Sequence, residues 1–344
     1  MQESTQIPFQ EVMDGLLKEQ EPFVHFYRLS NLAGEERKTL AKNWPEIPVG
    51  RRRKLVENLE EAAIDDTLLC YEPIARIGLT DSDPQVRLIS LRMLWGEESP
   101  GLEEVLLKMQ ENDMDERVRA GAASALGYFV YEGELDELPA EMLKVIVAQL
   151  LEAARGKDTR LVQRKALEAL GFSSHPEVGK LIEVAYVSDD DDWVASALLA
   201  MGRSADKRWT ADVLRMLDNE NPFIRLEAAR AAGELEIKRA TPILIEMLND
   251  PDDDVRAAGI WSLSQIGGQG VSDALEDWLE DNDDAEEVAL IEEALENLAF
   301  NEGIGSFELF DFDEEDLGEM IEFDPTDDDD EMASNEDDFD AEDA

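Results

Sequence analysis

A five-residue phrase returns down this chain at a nearly fixed interval, and any fold built from it must repeat with it. It reads Asp83-Pro84-Gln85-Val86-Arg87, Asp115-Glu116-Arg117-Val118-Arg119, Asn221-Pro222-Phe223-Ile224-Arg225 and Asp252-Asp253-Asp254-Val255-Arg256, each opening an Ala- and Leu-rich stretch. Degenerate copies are led by Val162 and Trp193, so the anchors stand at 86, 118, 162, 193, 224 and 255, and a seventh copy begins near Glu287. Most stretches close on a glycine: Gly127, Gly171, Gly202 and Gly233, with Gly96 one residue late. Self-similarity of this length predicts a solenoid, in which each unit covers its apolar face only by stacking on its neighbours.

Within one period the pattern splits into two helices. Apolar residues recur at helical spacing in 102–109 and 243–248, giving a first helix. An Asp- or Asn-rich corner follows, where a side-chain oxygen can cap the next helix and Pro84 or Pro222 suits a first helical turn. The second helix then runs through Ala120 to Leu126, Ala166 to Leu170 or Ala228 to Ala232, its small residues allowing close approach.

The Asp/Asn-x-x-Val/Ile-Arg opening, the Ala-rich second helix and the closing Leu126-Gly127 and Leu170-Gly171 resemble a HEAT repeat, of the short kind called PBS-lyase HEAT-like, over residues 70 to 300. The resemblance implies an all-α, right-handed α-solenoid. Together with Trp44-Pro45-Glu46-Ile47-Pro48 and Arg51-Arg52-Arg53, the whole is also loosely similar to HEAT-repeat proteins of filamentous, Chloroflexi-type bacteria, which implies a bacterial cytosolic protein. Such scaffolds host many unrelated activities, so the fold alone assigns none.

The formal net charge is −52, and its placement matters more than its size. Arg256 is the last basic residue; the 88 residues beyond it hold 33 Asp or Glu. Residues 311–344, acidic at 19 of 34 positions, are expected to stay disordered, since they cannot bury enough apolar surface to offset their ordering entropy. This charge repels duplex DNA and anionic membrane, so nucleic acid and membrane are not expected partners. No apolar run approaches the roughly 20 residues of a membrane span. One cysteine, Cys70, allows no internal disulfide, and Glu3, Glu11 and Asp14 precede any basic residue, unlike a secretory leader; a cytoplasmic location is expected.

Three regions follow: a divergent helical region at 1–70, the repeat array at 71–300 and an acidic tail at 301–344. The first reads as helices over 8–18, 23–44 (one or two) and 48–64. Arg51, Arg52 and Arg53 with Lys54 form the densest positive patch; it can receive an acidic partner or the tail, but the favoured reading is a solvated helix face, with Arg53 spaced to pair with Glu57. In the tail, Phe307, Phe310, Phe312, Leu317 and Ile321 alternate with acids, either as a recognition motif or as a cap on the last repeat.

Catalytic chemistry has little to stand on. His25 and His175 lack a second ligand at metal spacing, being followed by Phe26 and Pro176, unlike the paired His-Glu motifs of deoxyhypusine hydroxylase, an iron enzyme with similar repeats. Cys70 in an apolar context reads as a small buried thiol, and no nucleophile elbow or phosphate loop occurs. Asp189 to Asp192 and Asp250 to Asp254 lack the ligand pattern of a calcium loop and read as helix caps. No cofactor and no metal site are expected. The Arg that follows each Val or Ile is expected to ladder between repeats.

What remains is a surface. The 44-residue spacing between Val118 and Val162 holds an insertion, Tyr131 to Met142, expected as a loop on one face. Near it and the equivalent turns stand Trp95, Tyr128, Phe129, Tyr131, Phe172, His175, Arg203 and Trp209, either an interaction strip along one edge or inter-repeat core. The resulting expectation is a scaffold without catalysis that binds a protein, a basic one by charge, while the tail tunes solubility or binding. Two alternatives stay open: a tetrapyrrole (phycobilin) lyase-like or chaperone accessory, and an acidic chaperone or mimic for basic nucleic-acid-binding proteins.

Overall fold

The structure, a computed structural model, describes residues 7–18, 24–96 and 100–306. Among these every regular element is helical: α1 (Phe9–Leu17), α2 (Gly34–Asn43), α3 (Val49–Asp65), α4 (Glu72–Gly78), α5 (Pro84–Met93), α6 (Leu102–Asn112), α7 (Glu116–Glu134), α8 (Ala140–Arg155), α9 (Arg160–Leu170), α10 (Val178–Tyr186), α11 (Asp191–Arg203), α12 (Thr210–Met216), α13 (Pro222–Glu234), α14 (Thr241–Met247), α15 (Asp253–Ile266), α16 (Val271–Asp281) and α17 (Ala285–Ser306). By compactness the chain divides into Met1–Asn297 and Leu298–Ala344; of the second unit only 298–306, the last turns of α17, are described. The tail residues Phe307, Phe310, Phe312, Leu317 and Ile321 lie outside the described residues.

Each anchor sits in the first turn of a second helix, as its spacing predicts. The corner residue before it closes the turn: Asp83 accepts from the N–H of Gln85 and Val86, Asp115 from Arg117, Asp190 from Asp192, Asn221 from Phe223 and Asp252 from Val255. Val86, Val118 and Val255 are fully buried behind these caps, and Val162 is fully buried although Thr159 makes no side-chain cap. Each first helix packs on its own second helix, α6 on α7, α8 on α9, α10 on α11, α12 on α13 and α14 on α15. The second helices α5, α7, α9, α11, α13 and α15 pack in succession on one another.

The closing glycines set how near those second helices come. A Cβ on Gly171 would stand 2.8 Å from Ala200 Cα, and one on Gly202 3.1 Å from Ala231 Cα, so the small residue at one helix end meets the Ala-rich stretch of the next.

Two expectations change. The insertion is not a loop: Tyr131 to Glu134 continue α7, only 135–139 turn, and Ala140 opens α8. The extra residues lengthen two helices to 19 and 16 residues, because Tyr131 and Met142 extend helical runs that a five-residue turn suffices to join. Half of the arginine patch is not a solvated face: Arg51 is 6% exposed and Arg52 7%, whereas Arg53 and Lys54 are exposed. Arg52 pairs with buried Asp81 (Nε to Oδ2, 2.7 Å) and donates to Ile47 O. Arg53 donates to Asp83 rather than pairing with Glu57 (Nε to Oδ1, 2.9 Å).

The core of the first helices is continuous with the first consensus repeat, joining Val12, Leu16, Leu40, Trp44, Leu55 and Leu59 to Ile74, Val86 and Ile89. Arg52 also occupies the place, four residues past the helix cap Pro48, that Arg87 holds past Asp83. α3 is therefore the second helix of a diverged repeat.

Candidate functional site

Two rows of side chains run from repeat to repeat, and they do different things. The first is the arginine ladder. Arg87, Arg119, Arg225 and Arg256 each donate through Nη1 to a carbonyl six residues back, Asp81, Asp113, Asn219 and Asp250 O, at 2.8 Å in every case. The rest of the guanidinium crosses to the next repeat: Arg87 forks onto Asp113 (2.7 and 2.6 Å), Arg119 onto Asp158 (2.9 and 2.7 Å) and Arg225 onto Asp250 (2.7 and 2.7 Å), while Arg256 meets Glu287. Forked charge-assisted pairs fix angle as well as distance.

Several acceptors were not singled out from sequence. For Asp81, Asp113 and Asp250 the signal was an acid two residues before the cap, accepting the N–H of the residue two further on, a corner bond that Asn219 and Asn282 also make; Asp158, one residue before Thr159, and Glu287, inside α17, carry no such mark. Arg119 holds the Asp158 carboxyl below its ordinary value; at Asp250 burial pushes upward but the Arg225 fork and the Asp252 N–H outweigh it. The ladder is interrupted in the middle. Gln163 stands where Arg would, bonding only its own corner carbonyls, Gly156 O and Asp158 O, and Val194 takes the position in α11. These charges are engaged with one another and serve the stack.

The second row lies at the far ends of the second helices. Tyr131 of α7 meets Phe172 edge-on, with ring centroids 5.5 Å apart, and the Arg203 guanidinium covers the same Phe172 ring at 4.8 Å. Three consecutive repeats thus contribute one residue each to a continuous strip. Arg203 is held from behind by Glu168 O at 2.8 Å; burial lowers it from its ordinary value, and Glu168, Glu227 and Glu234 oppose that. Glu134 closes the strip's flank, its Oε1 accepting from Ser173 Oγ (3.2 Å) and Ser174 N (2.9 Å). His175 Nδ1 accepts from the Glu177 N–H, locking that turn.

The eight residues picked from sequence separate here. Tyr131 is 45% exposed and Trp95 50% exposed, and Tyr128, Phe172, His175 and Arg203 are half-buried. Phe129 and Trp209 leave the surface set, at 7% and 5% exposed. Phe129 falls on the core side of α7, edge-on to Tyr128, and Trp209 turns under the Arg208 guanidinium, 4.3 Å from its ring.

Beneath the strip the second-helix layer carries buried charge. Glu168 accepts from Ser196 Oγ and Lys165 Nζ, both at 2.7 Å. Glu227, 7% exposed, has Arg230 at 3.6 Å, and its Oε2 is buried without a hydrogen-bond partner. Burial raises Glu227 above its ordinary value of 4.5. Among the described residues no three His, Cys, Asp or Glu side chains gather as a metal would need, and no helix is long and apolar enough to cross a membrane. Cys70 is half-buried rather than fully enclosed.

Stacked two-helix units with a capped corner, a cross-repeat arginine ladder and glycine-tightened second helices define an α-solenoid. Over part of the chain a family profile matches: residues 181–261 and 210–296 match the sequence profile of HEAT repeats. No curated protein matches the sequence. Among solved structures the chain is similar to the complex of CpcE and CpcF of phycocyanin lyase from Nostoc sp. PCC7120, at 17% identity and TM-score 0.45, covering 66% of this chain and 94% of that one. It is similar to YibA of E. coli at 18% identity and TM-score 0.42, covering 82% and 98%. With importin beta it shares 15% identity at TM-score 0.42, covering 84% and 41%.

Proposed function

We propose that this chain is a non-catalytic, cytoplasmic scaffold that binds a protein partner along the ends of its second helices. The observation that carries the reading is the Tyr131–Phe172–Arg203 strip, in which three repeats bring aromatic and guanidinium groups into contact, Tyr131 edge-on to Phe172 and Arg203 over its ring. Aromatic and Arg side chains dominate protein interfaces, where each combines a large apolar contact area with a group that can hydrogen-bond or stack. The net charge of −52 favours a basic partner, drawn in by long-range attraction. The division of labour we propose is a helical region at 1–70 that begins the stack, an array at 71–300 that binds, and an acidic segment at 301–344 that tunes solubility or binding.

The test is capture of partners from native lysate by the wild-type chain and by the Tyr131→Ala/Phe172→Ala variant. The reading expects the variant to melt near the wild type and to lose about tenfold or more in affinity for the captured protein. Equal capture by both would remove the strip from the interface. A change in the absorption of an added bilin would favour a tetrapyrrole accessory instead.

A further inference from the structure

At the repeat junction where the ladder is interrupted, the surface opens. Trp193 stands in the first turn of α11, where the other repeats place Val86, Val118, Val162, Ile224 and Val255, all 3% exposed or less; Trp193 is only half-buried. It forms one wall of a cavity of about 260 Å³, with Leu167, Leu181, Val184, Ala185 and Ser188. Floor and walls are apolar: Leu167 and Ala185 are 2% and 4% exposed, and the Ser188 hydroxyl already accepts the Asp190 N–H at 3.1 Å. The outer lip is bare, Val184 being 71% exposed and neighbouring Val187 77%. Small-molecule pockets run from roughly 300 Å³ upward, so the space suits a single large side chain better than a free ligand.

The charges bordering the cavity say what should flank that side chain. The guanidinium groups at this junction are engaged, Arg155 with Glu177, Arg160 with Asp190 (2.7 Å) and Arg164 with Asp192 (3.0 Å). Glu183 and Asp189, next in sequence to wall residues Val184 and Ser188, are exposed and outnumber Lys180 beside Leu181. An apolar socket whose exposed border carries more carboxylate than ammonium, on a chain of net charge −52, is complementary to an apolar side chain between cations. We propose that this cavity is a docking pocket for a segment of a protein partner in which one large aliphatic or aromatic residue is flanked by Lys or Arg. The proposal rests on the scaffold reading and adds to it a second contact site, on the first-helix side.

The test is selection of a phage-displayed random dodecapeptide library on the full chain, followed by fluorescence anisotropy of the enriched peptides. The expected peptides carry Leu, Ile, Phe or Trp beside Lys or Arg. They should bind Val184→Lys about tenfold more weakly, lose binding when the apolar residue becomes Ser, and bind Tyr131→Ala/Phe172→Ala as they bind wild type. Val184 is exposed, so its replacement leaves the core intact. The pocket is overturned by a library that yields no binder, by binders without basic residues, or by binding indifferent to Val184→Lys or to the Ser-substituted peptide. Peptides that lose binding only on the strip variant would also overturn it while leaving the scaffold reading standing; failure of that reading would appear separately, in the capture experiment with whole protein.

Discussion

Two kinds of carboxylate coexist in this array, half-buried ones paired with arginine and a buried one without a full partner, and they respond to pH in opposite directions. Asp158 and Asp250 are held below their ordinary 3.8 by their arginines, so the stability they contribute is present above that value and is lost as pH falls through their folded-state range. Glu227 is raised above 4.5, so the folded chain holds a proton that the unfolded chain releases, and its contribution erodes as pH rises from 4.5 through the folded-state value. Denaturant titrations of Glu227→Gln against wild type should show a stability gap that widens upward from about pH 4.5 and then levels; a gap independent of pH would show that Glu227 ionises in the fold as it does in water. For the ladder, Arg225→Ala leaves a buried carboxylate without its fork, and should cost about 2–3 kcal/mol. A double-mutant cycle with Asp250→Ala should recover part of that cost, and strict additivity would deny the pairing.

At the scale of elements, glycine position separates close approach from mere flexibility. Gly171 ends α9 against Ala200, where an added Cβ would stand 2.8 Å from a backbone carbon, whereas Gly259 inside α15 meets nothing closer than 3.6 Å. Gly171→Ala should therefore destabilise by about 1–3 kcal/mol through overpacking. Gly259→Ala should stabilise by about 0.5–1 kcal/mol through helix propensity. Thermal melts that moved the same way would refute this account of the closing glycines. The second helices were legible in sequence because anchor, small residues and closing glycine are all local marks. What was not legible depends on partners distant in sequence. Arg53 meets Asp83 thirty residues on rather than Glu57 on its own helix, and the spacing rule that favoured Glu57 cannot see across repeats. The insertion misled for another reason: added length in a solenoid went into α7 and α8 instead of the turn between them. At the candidate surface, periodicity placed Tyr131, Phe172 and Arg203 in one row but could not tell them from Phe129 and Trp209, whose helix faces point into the core.

Across the whole molecule, ladder and strip share the repeat but not its purpose. The ladder's cations are engaged by acids of the next corner, which leaves the chain's excess negative charge unopposed elsewhere. Association with a basic partner should then weaken steeply with salt, because exposed charges are screened beyond roughly 8 Å at physiological ionic strength. The most direct test is parallel affinity capture from native lysate with the full chain and with a chain ending at Gly305, at low and high salt. The account predicts a partner retained by both chains at low salt and reduced at high salt, placing recognition on the repeats. A partner lost with residues 306–344, or none captured by either chain, would contradict it.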